Sequence, residues 1–143
     1  MYVRLENNGL PSDRQSHKPK KRLGQNFLID KNIQKKIIRA CDLVGEDIIL
    51  EIGAGRGDLT AQLALTAKKV YALEIDQRLY PALEKNLECF TNCQVIKSDI
   101  LKFDIAKFLH VNKVTEKIKI IGNIPYYISS PIIEHLIRYR RNI

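Results

Sequence analysis

Four short apolar runs constrain what this chain can become: IILEIG from residue 48, KVYALEID from 69, CQVIKSDI from 93 and KIKIIGN from 117. Each has the length and β-branched content of a strand. The stretches between the first three carry Leu59 and Leu63, then Leu79, Leu83, Leu87 and Phe90, at helical spacing, with Pro81 in the first turns of the second helix. Ahead of them Ile33, Ile37, Cys41 and Val44 predict a helix over 31–44, with Asp30 as N-cap and Gly45 as stop. Residues 102–116 form a mixed connection with room for a short helix. Ser130-Pro131 predicts the start of a last helix, because serine suits the cap and proline the first helical position. Strands alternating with helices at this spacing predict right-handed crossovers and a parallel sheet covered by helices. Ligands of such sheets bind beyond the carboxyl ends of the strands, so the chemistry should lie at the four ends.

The first end reads EIGAGRGDLT. Gly53, Gly55 and Gly57 allow a tight turn and close approach of backbone N–H groups to a ligand. A dinucleotide fingerprint needs G-x-G-x-x-G, and Asp58 stands where its last glycine would be. An acid there repels a pyrophosphate and suits the ammonium of an amino-acid-like ligand. At the second end Glu74 follows Gly53 at the spacing of an acid that accepts from ribose hydroxyls. Asp99, at the third, can accept from an adenine amine or cap a helix. Glycine loop, Glu and Asp together favour an adenosyl ligand without a pyrophosphate.

The fourth end is NIPYYISSPII, residues 123–133. The amine of adenine is a poor nucleophile because its lone pair is delocalised into the ring. The side-chain oxygen of Asn123 and the Ile124 carbonyl could accept its two hydrogens and make the nitrogen more pyramidal. Pro125 would hold that carbonyl still, and Tyr126 offers a stacking face for an extruded base.

With 143 residues, 45% hydrophobic and 28% charged, the chain suits one domain. It has no apolar run near the roughly 20 residues of a membrane span, and its N-terminus lacks a signal-type apolar stretch. A cytoplasmic location without membrane association is expected. Cys41, Cys89 and Cys93 match no zinc spacing, so no metal is expected either. The net charge of +8 is uneven: residues 1–39 hold 10 Lys/Arg against 3 Asp/Glu (+7), and the remainder 14 against 13 (+1). Residues 1–22 read as a flexible basic arm, in which Lys20, Lys21 and Arg22 are candidate phosphate contacts; a solvated tail is the plainer reading. Arg138, Arg140 and Arg141 form a second small basic group.

In combination, KKRLGQNFLID, ILEIGAGRGDLT, ALEID, KSDIL and IGNIPYYISSPII resemble the ribosomal RNA adenine N6-dimethyltransferases that use S-adenosyl-L-methionine, over about residues 20–138. The resemblance implies a Rossmann-like class I methyltransferase fold for residues 23–143, with about four strands of its sheet present. It implies cofactor contacts at Asn26, Leu28, Gly53, Glu74, Asp99 and Asn123, with Gln25 and Phe27 in support. Asn123 and Tyr126 would be the catalytic pair, and Ile124, Pro125 and Tyr126 would meet the target base. The amine nitrogen would attack the sulfonium methyl in line, twice in succession and without a metal, so catalysis would rest on orientation, worth roughly 7 to 11 kcal/mol. NIPYYISSPII and KKRLGQNFLID are closer to the branch that modifies small-subunit RNA, in the precursor of the small ribosomal subunit, than to the large-subunit, macrolide-resistance branch.

Length is where the chain departs from this family, whose members add three strands and a helical domain that helps grip RNA. Two readings of different class therefore stand: an enzyme, or the motif-bearing part of one, and a fragment without turnover that binds cofactor or RNA. A nicotinamide-dependent reductase is more distant, because Asp58 and the Asn-Ile-Pro-Tyr end have no role in it.

Overall fold

The computed structural model describes residues 30–143. Its elements run α1 (Lys31–Ala40), β1 (Ile48–Ile52), α2 (Asp58–Ala64), β2 (Lys69–Glu74), α3 (Tyr80–Leu87), β3 (Cys93–Lys97), α4 (Ile105–Val111), β4 (Lys119–Gly122) and α5 (Tyr126–Ile137), with single 3-10 turns at Gln77–Leu79 and Ile100–Lys102. The strands make one parallel sheet in the order β3-β2-β1-β4. All five residues of β1 are buried, as an uninterrupted apolar run covered on both faces should be. The outer strands β3 and β4 are only partly covered.

Side chains alternate across the sheet. Ile48, Leu50, Ile52, Tyr71 and Leu73 pack with α4 and α5 through Ile105, Leu109 and Ile132. Ile49 and Val70 pack on the other face with Leu59 and Leu63 of α2 and with Ile37 and Ile38 of α1, while Ala72 meets Leu83 and Leu87 of α3. The chain turns from β1 to β2 and β3 on one side and returns to place β4 on the other side of β1, so the strand order reverses at β1. The crevice outside the carboxyl ends opens at that reversal.

Two helices differ from the sequence expectation. Asp30 caps α1 as expected, accepting from Asn32 N and Ile33 N, but the helix ends at Ala40 rather than at residue 44. Asp42 turns out of the helix at φ 45°, and Lys119 Nζ on β4 donates to the Cys41 and Asp42 carbonyls at 3.3 and 2.8 Å and pairs with Asp47 at 2.8 Å. A cation on the last carbonyls is a favourable helix end, and it comes from a strand far along the chain. Val44 and Ile33, assigned to the helix's apolar face by periodicity, are exposed.

The last helix begins at Tyr126, not at Ser130-Pro131, and contains Pro131. Pro125, at φ −61° and ψ 139°, starts it, and its carbonyl accepts from Ile128 N at 3.1 Å and from the Ser129 hydroxyl at 3.0 Å. Pro131 has no N–H to give the carbonyl four residues before it, an interior defect of about 3 kcal/mol. Ile128, Ile132 and Leu136, one turn apart, pack against the sheet core and hold the helix through it.

Gly122, the last residue of β4, allows the close approach that brings the fourth strand end against the first. A Cβ there would lie 2.7 Å from Ile52 O and 3.2 Å from Ile52 Cβ and from Ile124 Cγ1, so any larger residue must push β4 away from β1.

Candidate active site

One open cleft at the carboxyl ends of the strands is lined by Glu51, Gly53, Gly55 and Asp58 from the first end, Glu74 and Ile75 from the second, Asp99 and Ile100 from the third, and Asn123, Ile124, Pro125 and Tyr127 from the fourth. The fold thus brings together residues spread over 77 positions, from Glu51 to Tyr127.

The glycine loop leaves β1 on hydrogen bonds from Gly53 N and Ala54 N to Leu73 O at 2.8 and 3.1 Å. Gly57 shows why the loop cannot carry another residue there. It caps α2 at φ 87°, and a Cβ on it would lie 2.9 Å from Leu83 Cδ1 of α3. Asn86 Nδ2, also on α3, donates to Arg56 O at 2.7 Å and pins the loop's far side. Around Gly53 no atom lies within 4 Å of where a Cβ would sit, so its backbone faces open space in the cleft.

Glu74 ties the second end to the first. Its Oε1 accepts from Ile75 N and Asp76 N, both at 2.8 Å, and its Oε2 accepts from Gly55 N at 2.8 Å.

 Gly55 and Glu74 stand 19 residues apart in sequence, and this hydrogen bond joins the two strand ends across the sheet. Glu74 is 3% exposed, so its acceptors are shielded from water on the loop side.

Asp99 takes the capping role that its sequence position allowed, and it also lines the cleft. Its Oδ1 accepts from Leu101 N at 3.0 Å, capping the 3-10 turn, while the residue lines the cleft. Asn123 is exposed on the cleft wall, with Ile124 and Pro125 half-buried beside it. Tyr126 is 99% exposed and does not line the cleft, whereas Tyr127, 61% exposed, does. Asn26, Leu28, Lys20, Lys21 and Arg22 lie outside the described residues.

Glu51 is a site residue that the sequence reading passed over. It lines the cleft from the α2 side of β1 and is 2% exposed. Burial pushes its carboxyl up to about 8; the Thr60 hydroxyl beside it offsets part of that rise, and Glu74 and Asp58 add to it. Neither Glu51 Oε2 nor Thr60 Oγ1 completes a hydrogen bond of good geometry. The available signal was an acid inside the apolar run IILEI, which a buried strand carries only at a price in desolvation.

Among the described residues no group of three or more His, Cys, Asp or Glu could hold a metal ion, and no helix is long and apolar enough to cross a membrane. The three cysteines are free.

The model of the family described as ribosomal RNA adenine dimethylase matches residues 16–143. Ribosomal RNA small subunit methyltransferase A of Staphylococcus epidermidis is 49% identical over 120 residues, which are 83% of this chain and 40% of that protein. The protein of the same name from Syntrophus aciditrophicus is 47% identical over 126 residues, 88% of this chain and 45% of its own length. Among solved structures, the 23S rRNA methyltransferase ErmE superposes with a TM-score of 0.67 at 33% identity, covering 77% of this chain and 42% of that one. A dimethyladenosine transferase from Plasmodium falciparum superposes with a TM-score of 0.65 at 37% identity, covering 78% and 38%. The chain therefore spans about 40% of the length of the curated relatives it matches. A parallel sheet with this cleft, and a family match that runs through all four strand ends, make the chain a member of the ribosomal RNA adenine dimethylase family.

Proposed function

We propose that the cleft binds S-adenosylmethionine and presents Asn123 and the Ile124 carbonyl to the amine of an adenine in small-subunit ribosomal RNA, which is dimethylated at N6 in the precursor of the small ribosomal subunit. The observation that carries this reading is the convergence of Gly53, Glu74, Asp99 and Asn123–Pro125 on one cleft. The residues suit the cofactor. An orphaned buried oxygen on Glu51 beside Asp58 and Glu74 favours a cationic group, and Ile75, Leu79 and Ile100 offer apolar walls next to the acceptor Asp99. The curated relatives at 47 to 49% identity carry the small-subunit name, which supports that branch over the large-subunit one.

When bound, the cofactor supplies an electrophilic methyl group. The chain's own part is positioning. Asn123 and the Ile124 carbonyl accept the amine hydrogens, Pro125 at φ −61° fixes that carbonyl, and the exposed Tyr126 ring is available to stack on the base. Calorimetric titration of the 143-residue chain with S-adenosylmethionine is expected to show saturable binding at one site, and its absence overturns the cofactor reading. Joined to the remaining length of the Staphylococcus epidermidis relative, the chain is expected to transfer labelled methyl groups to small-subunit RNA, recovered as N6,N6-dimethyladenosine.

Lys20, Lys21 and Arg22 belong to the same proposal as contacts to RNA phosphates. Replacing all three with Ala should flatten the dependence of RNA affinity on salt by about one unit of logarithmic slope per lost contact. An unaltered slope would leave residues 1–22 as a solvated tail rather than a basic arm distinct from the domain of residues 23–143.

A further inference from the structure

We propose that His135 is a positioning residue of the cleft: its Nε2–H ties α5 to the turn that carries Asp99, and so sets where the acceptor for the ligand's adenine amine stands. The inference rests on the cofactor reading above and gives part of its adenine selectivity to a side chain that does not line the cleft.

His135 is 9% exposed on the inward face of α5, three residues beyond Ile132, which is 3% exposed and lines the cleft. Its Nε2 lies 3.0 Å from Phe103 O, 32 residues away in sequence. A carbonyl oxygen can only accept, so that nitrogen carries the ring proton. Tyr139 meets the imidazole in an edge contact with ring centroids 5.2 Å apart, which holds the plane of the donor.

The Phe103 carbonyl is the far end of a short closed turn. Leu101 N donates to Asp99 Oδ1 at 3.0 Å, Lys102 N to Asp99 O at 3.0 Å and Phe103 N to Ile100 O at 3.2 Å, so Asp99 and Phe103 shift together. On its other side the turn rests on α4, through the Phe103 and Phe108 rings at 5.1 Å. The helix that carries His135 starts directly after Asn123, Ile124 and Pro125. One hydrogen bond therefore fixes the third strand end against the helix that leaves the fourth, beside the part of the cleft lined by Ile100 and Ile132. Without the donor, Phe103 O turns toward another partner and the turn carries Asp99 off the adenine amine.

The test compares S-adenosylhomocysteine with its purine analogue, in which hydrogen replaces the amine, by titration of the 143-residue chain. The ratio of the two affinities reads the Asp99 contact alone. His135→Leu is expected to lower that ratio about fivefold, in the range that one displaced hydrogen bond supports. His135→Gln, whose amide nitrogen stands the same number of bonds from the backbone as Nε2, is expected to restore it to within about twofold. A merely structural His135 would lower the midpoint of unfolding and leave the ratio at its native value, and that result overturns the inference, as does a folded Gln variant that fails to restore it. If the Leu variant does not fold, nitrogen-15 histidine in the native chain decides. Coupling is reciprocal, so saturating S-adenosylhomocysteine should slow exchange of the His135 Nε2–H with solvent, and unchanged exchange overturns the inference. Equal affinity of the native chain for both ligands removes the Asp99 contact, and the inference with it, while cofactor binding stands. No saturable binding of either ligand overturns the cofactor reading itself.

Discussion

Asn123→Ala, in a chain carried to the length of its relatives, is expected to lower methyl transfer by at least about two orders of magnitude while leaving affinity for S-adenosylmethionine within a few-fold. The two readouts separate because Asn123 is exposed on the cleft wall, where removing its amide deletes an acceptor for the target amine without opening the core. Gly53, Glu74 and Asp99, which line the other three ends, are untouched. Transfer at the native rate would remove Asn123 from the mechanism. A parallel loss of cofactor affinity would make it a binding residue alone.

Glu74→Ala is expected to act on both binding and folding. It strips the acceptor from three backbone N–H groups, those of Gly55, Ile75 and Asp76, in a position that is 3% exposed. Each buried donor left without a partner costs about 1–3 kcal/mol, so the midpoint of urea unfolding should fall clearly, by an amount corresponding to at least ~2 kcal/mol. Glu74→Gln separates the roles. Its carbonyl oxygen can keep Ile75 N and Asp76 N, while its amide would turn a donor toward Gly55 N–H. The expected result is a chain that folds, with the glycine loop untied and affinity for S-adenosylmethionine reduced at least tenfold. Native affinity in Glu74→Gln would show that Glu74 serves the loop only.

Much of this protein is written locally. The strand runs, the Asp30 cap and the order of strand and helix follow from periodicity and capping chemistry, which act over a few residues. Gly53, Glu74, Asp99 and Asn123 were legible because strand ends are where a parallel sheet binds its ligands. Where local rules met a distant contact, they lost. The C-terminal end of α1 is set by Lys119, 77 residues beyond Asp42, and the start of α5 by packing that outweighs the defect at Pro131.

Glu51 shows the same division within the site. Its acidic side chain is plain in IILEI, but its burial beside Thr60, Asp58 and Glu74 exists only once β1 lies at the centre of the sheet and α2 covers it. The sequence by itself determined which chemical groups stand at the four strand ends, because their spacing along the chain is local. Which of them share one cleft, which face water and which carboxyl burial pushes up were settled by the tertiary structure alone, because desolvation and charge coupling depend on neighbours brought together from across the fold.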